Sequence, residues 1–221
     1  MLPDTIAGGE RRSAEARIAD LVAAAHACRV CEAVLPHTPR PVLRVSAGAR
    51  ILIVGQAPGR RVHETGIPWN DPSGDRLRDW LGVSSATFYD ATRIAIVPAG
   101  LCYPGTVKGS DLPPRPECAP LWHPRLRAAM PGIRLTLLIG AYAQAYYLGP
   151  RRGRTLAGTV QAWRDFAPDF FPLPHPSPRN RLWLRRNAWF ERDVLPELRQ
   201  RVHALLAAGA DEVFPFVTPT P

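Results

Sequence analysis

Four short, uninterrupted apolar runs constrain this 221-residue chain more than any other feature. They cover residues 50–54 (Ile51, Leu52, Ile53, Val54), 93–97 (Ile94 to Val97), 134–139 (Leu135 to Ile139) and 170–174 (Phe170 to Leu173). A strand that is apolar at every position is covered on both faces, as in a parallel sheet. Helical patterns fall before and between the runs: 10–27, where Ile18, Leu21, Val22 and Ala25 recur at helical spacing, then 74–81 after Ser73 as N-cap, 120–130, 141–148 and 155–166. A last helix is expected over 188–206. Strands alternating with helices predict a three-layer α/β/α sandwich around a central four-stranded parallel sheet. One domain over 1–208 accounts for this pattern, and residues 209–221, with three prolines, read as a disordered tail. The stretch after the first strand reads as a long loop through Pro68 and Pro72. Residues 98–120, with six prolines, read as an irregular excursion.

Two of the strands end in rigid turns, and open α/β sheets bind ligands at the carboxyl ends of their strands. After residues 50–54 comes Gly55-Gln56-Ala57-Pro58-Gly59; after 170–174 comes His175-Pro176-Ser177-Pro178-Arg179-Asn180. The glycines let the backbone approach a ligand closely, and Pro58 stiffens the turn. Its N–H groups and the Gln56 amide suit the carbonyl edge of a heterocycle or a phosphate. In the following loop, Trp69 offers a face for base stacking, beside Asn70, and Asp71 is placed to activate a water or to cap the next helix. His175 can donate to an oxygen that gains negative charge in a transition state, and Ser177 can bond a phosphate. Basic and apolar residues then interleave through Arg179, Asn180, Arg181, Leu182 and Arg185. That pattern suits phosphate contacts with an apolar wedge, or a basic amphipathic lead into the last helix.

The charge balance agrees with a polyanionic partner. There are 28 basic and 19 acidic residues, a net of +9, although Lys108 is the only lysine and the arginines can also fill ordinary surface positions. No apolar run reaches transmembrane length, so no membrane partner is expected. The first ten residues lack a signal-peptide core, so a cytoplasmic location follows. Reduced thiols there favour metal or cluster ligation over disulfides. Cys28 and Cys31 form a C-x-x-C, and Cys102 and Cys118 bracket fifteen residues of proline-rich loop. Zinc and an iron–sulfur cluster both fit four thiolates.

Taken together, the two turns and four cysteines resemble the uracil-DNA glycosylase superfamily, over residues 28 to about 202. Gly55-Gln56-Ala57-Pro58-Gly59 is similar to its first motif, with Ala-Pro-Gly as in family 4 and Gln as in family 1. His175-Pro176-Ser177-Pro178 is similar to the second. Cys28, Cys31, Cys102 and Cys118 follow the order of the [4Fe–4S] ligands in families 4 and 5, and Pro114 to Pro120 resembles the approach to the fourth. The resemblance implies excision of uracil from DNA by hydrolysis of its N-glycosidic bond, with the nucleotide flipped out of the stack. It implies that His175 stabilises the departing anion, Trp69 stacks on the base and the Gly55–Pro58 turn holds its edge. Ala57 stands where family 1 has an Asp, so Asp71, at the place of a family 5 Asp, is expected to position water. Pro98 stands where family 4 reads uracil with an Asn, which leaves room for other deaminated bases. A sole lysine within the cysteine-bracketed loop argues against a Schiff base, so the enzyme is expected to be monofunctional, and a monomer. A DNA-binding module without catalysis, or a hydrolase of free nucleotides, are the competing readings.

Overall fold

The structure is a computed structural model and describes residues 4–207, with side chains from residue 14 onward. Four parallel strands form the central sheet: β1 (Ile51–Val54), β2 (Ile94–Ile96), β5 (Leu135–Ile139) and β6 (Phe170–Leu173), in the order β2-β1-β5-β6. The remaining two, β3 (Thr106–Val107) and β4 (Ser110–Asp111), pair as a separate antiparallel hairpin. Every residue of β1 is buried, as its apolar run requires. Its side chains alternate between two cores. Ile51 and Ile53 join Leu77 and Leu81 of α3 (Pro72–Leu81) and Leu198 and Val202 of α9 (Leu195–Ala207). Leu52 and Val54 face the other way, onto Ile18 and Ala25 of α1 (Asp4–His26) and Leu126 of α5 (Cys118–Ala129). The expected three-layer α/β/α sandwich is therefore the observed one.

Local differences have physical causes. The loop expected after β1 contains a one-and-a-half-turn helix, α2 (Arg60–Thr65), closed by Gly66 at φ 72°. A further short helix, α4 (Ser85–Tyr89), starts on Ser84, whose hydroxyl accepts from the Thr87 N–H. Helix α3 begins at Pro72 instead of Gly74: Asp71 is its N-cap and Ser73 lies inside it. The expected irregular excursion over 98–120 holds the β3–β4 hairpin, and α5 begins two residues earlier than its pattern suggests. After α6 (Ala141–Leu148), the helix expected over 155–166 stops as α7 (Leu156–Gln161) and continues as a tighter turn over Trp163–Phe166. The helix expected over 188–206 opens with a wide turn over Phe190–Val194 and continues as α9, while α8 (Arg181–Arg186) is a separate short helix before it. Arg44 lies against the open edge of β2, exchanging both backbone hydrogen bonds with Ile96, and the Val42 N–H donates to the Leu101 carbonyl farther along. The expected tail over 209–221 lies outside the described residues. Among the described residues no helix is long and apolar enough to cross a membrane.

Candidate active site

The sheet order places neighbours on both sides of β1, so the chain reverses direction across the sheet between β1 and β5. Carboxyl ends of strands at such a switch point open into a crevice. A cleft of about 360 Å³ lies there. All five residues of the Gly55–Gly59 turn line it, with Trp69, Asp71, Pro98, Asp111, His175, Ser177 and Arg179.

The first turn is built around Trp69. A Cβ on Gly55 would sit 2.9 Å from the indole ring, and one on Gly74 would sit 1.7 Å from the Trp69 carbonyl oxygen. Only glycine fits at either place. Trp69 itself has φ 56°, a left-handed backbone that bulky residues resist. Its neighbours hold it there: Arg78 donates to the Trp69 carbonyl at 3.4 Å and the Tyr89 hydroxyl to that of Pro68 at 3.0 Å. A positive φ at a partly buried tryptophan is the kind of outlier that collects at ligand sites. The ring centre stands 5.6 Å from that of His175, tilted by 34°.

His175 is fixed in one tautomer. The Ser177 N–H donates to its Nδ1 at 3.2 Å, so the ring proton of the neutral imidazole lies on Nε2. Asn180 donates to the His175 carbonyl at 2.8 Å, and Arg76 donates to the carbonyls of Pro176 and Ser177. Burial lowers the His175 pKa, with the Asp71 and Asp111 carboxylates opposing the shift. Neutral His175 thus presents an N–H donor.

Two carboxylates share the cleft. Asp71 accepts from the Gly74 N–H at 2.9 Å through Oδ1, so the cap reading and the cleft position hold together. Asp111, on β4, is a cleft residue that the motifs did not mark. Thr106 donates to its Oδ1 at 2.8 Å, and the Tyr103 hydroxyl in turn bonds Thr106. Because the single Thr106 proton is used on Asp111, Tyr103 is the donor of the second bond. The usable signal was positional: Asp111 lies in the loop between two cysteines, at the end of a Lys108-Gly109 turn. Gln56 lines the cleft while its amide donates to the Leu112 carbonyl at 3.0 Å, which ties the first turn to this hairpin. Pro98 also lines the cleft, and its carbonyl bonds Nε2 of buried His123, whose Nδ1 faces the Tyr147 hydroxyl.

The expected DNA-facing residues divide. Arg179 lines the cleft and Asn180 serves the His175 loop, whereas Arg181, Leu182 and Arg185 lie on α8 just beyond. Leu182 is 55% exposed. Trp183 and Leu184 of the same helix pack on the core. Asn70 is not among the residues lining the cleft.

All four cysteines line a second, small cavity together with Leu101, Arg115 and Trp122, and all are free thiols. The Leu101 N–H donates to Cys118 Sγ at 3.2 Å. Burial pushes the Cys102 thiol up to about 11 and that of Cys118 up to about 12, with neighbouring cysteines adding to both. Among the described residues no group of three or more His, Cys, Asp or Glu side chains is placed to hold a metal ion. The donor set nonetheless suits a thiolate-bound centre: four sulfurs around one apolar cavity, one of them accepting a backbone N–H. Against known families, residues 44–199 match the model of the Uracil DNA glycosylase superfamily, over two thirds of the chain.

Proposed function

Since the chain belongs to the uracil DNA glycosylase superfamily, we propose that it hydrolyses the N-glycosidic bond of uracil and other deaminated bases in DNA, the first step of base-excision repair. The observation that carries this reading is the convergence on one cleft of the Gly55–Gly59 turn, Trp69 and a neutral His175 with its proton on Nε2. A base extruded into the cleft stacks on Trp69, with its edge against the backbone of the turn. As the bond from C1′ to the base nitrogen breaks, its electron pair moves into the base and negative charge collects on a carbonyl oxygen. His175 Nε2–H donates to that oxygen. The sugar becomes an oxocarbenium ion, to which water adds at C1′, giving up its proton to a cleft carboxylate and finally to the base. Asp71 is the carboxylate assigned to the water, with its orientation fixed by the Gly74 N–H. At the position of the family 4 Asn, Pro98 offers no side-chain amide, and its carbonyl is occupied by His123, which supports a range beyond uracil. Lys108 is not among the cleft-lining residues, which supports hydrolysis that leaves the abasic strand intact.

We assign Cys28, Cys31, Cys102 and Cys118 as the ligands of a [4Fe–4S] cluster. All four thiols line one small cavity, in the order that the resemblance to families 4 and 5 implies for cluster ligands, which supports this assignment over zinc. When bound, the cluster supplies a structural staple across the loops that carry Asp111 and Pro41.

Base release from oligonucleotides carrying uracil, hypoxanthine or xanthine, single- and double-stranded, tests the reading. His175→Ala is expected to lose about 10²-fold or more, as for one oxyanion donor. Asp71→Asn is compared with Asp111→Asn to assign the water. Wild-type protein that binds DNA and releases none of these bases would overturn the reading.

A further inference from the structure

The β3–β4 hairpin is absorbed only in part by the mechanism above. Its Asp111 end lines the cleft and is tied down by the Gln56 amide on the Leu112 carbonyl. Its other end projects outward. Lys108 at φ 49° and Gly109 at φ 76° form a two-residue turn with both residues left-handed, the arrangement whose twist matches a tight hairpin. Among the described residues, no heavy atom beyond its own chain neighbours lies within 4 Å of where a Gly109 Cβ would stand, and Val107 is 54% exposed. The tip therefore combines a preformed backbone, an uncovered apolar side chain and the only lysine of the chain, on the hairpin whose Asp111 lines the cleft.

We propose that this tip is a second DNA-contacting arm, with the Lys108 ammonium on a backbone phosphate and Val107 against the sugar or base next to the extruded nucleotide. The proposal rests on the glycosylase reading. A strand that delivers one nucleotide into the cleft carries phosphates on both sides of it. Arg179 and α8 serve one rim; the hairpin is the cationic element of another. A protein partner is the poorer fit, since a stable protein interface needs roughly 800 Å² per side and the tip offers one valine and its neighbours. A preformed turn also loses little conformational freedom on binding.

Lys108→Asn tests this cleanly, because Asn-Gly is the favoured sequence for such a turn and keeps the hairpin while removing the charge. In the full chain, the slope of log Kd against log salt should fall by about 0.9 on a duplex carrying a tetrahydrofuran abasic analogue, or about 0.7 on a single strand. Val107→Ser should weaken binding with no change of slope. In wild-type protein, acetylation of the Lys108 amine by an N-hydroxysuccinimide ester, read by mass spectrometry, should slow at least tenfold in the DNA complex. An unchanged slope together with unchanged acetylation would overturn the proposal. So would protection that rises with protein concentration without DNA, which would mark the tip as a contact between copies. If wild-type protein binds DNA and releases base while Lys108 stays reactive, the arm alone fails. If no base is released, the underlying reading fails first.

Discussion

Replacing Gly74 by alanine would set a methyl group 1.7 Å from the Trp69 carbonyl oxygen, so the backbone of the stacking residue would have to move. The expected cost is about 3 kcal/mol in urea unfolding, at the upper end for overpacking, with base release lost beyond what the stability change explains. Gly55→Ala meets the ring of Trp69 at 2.9 Å, a milder clash, and should weaken substrate binding more than folding. In the sequence Gly55 is legible only as a turn former and Gly74 only as a helix start. Their real partner is a tryptophan whose left-handed backbone no sequence pattern announces. His175 shows the converse: its position after a strand and its Pro-Ser-Pro frame were readable, but its tautomer depends on an N–H two residues on.

At the scale of elements, the loop between Cys102 and Cys118 links the two candidate sites. It leaves the cysteine cavity, forms the hairpin, delivers Asp111 to the cleft and returns to Cys118 at the start of α5. Cys118→Ser should therefore loosen residues 103–112, read as faster amide hydrogen exchange there, while exchange in β1 and β5 stays as in the wild type. Exchange unchanged in the hairpin would separate the two sites. The sequence carried the four sheet strands well because each is a nearly unbroken apolar run, with Thr136 of β5 the one hydroxyl among them. It carried the hairpin poorly, because two-residue strands at the surface have no apolar period to read. Asp71 had two sequence meanings, helix cap and cleft carboxylate, and the structure gives it both.

Across the whole molecule, the arginine excess is spent partly on the fold itself. Arg40, Arg44, Arg93, Arg127 and Arg199 each donate to backbone carbonyls, so net charge overstates the surface free for DNA. Stability should also depend on pH through the buried histidines. Burial lowers the pKa of both His123 and His175, so the native state holds them neutral while the unfolded chain binds protons near pH 6.5. Their stabilisation is complete above that pH and is lost as pH falls through the lowered native values, at up to about 1.4 kcal/mol per pH unit for each. Thermal unfolding midpoints measured downward from pH 7 should fall, and less steeply in His123→Gln, which can still donate to the Pro98 carbonyl. The sequence by itself determined the sheet, its two covering layers and the two turns at strand ends, because burial and backbone stiffness are written in local runs of residues. Only the tertiary structure decided that Asp111 joins Asp71 in the cleft and that Gln56 ties the first turn to the hairpin. Those facts depend on contacts between segments far apart in the chain, where local sequence carries no physical record of the partner.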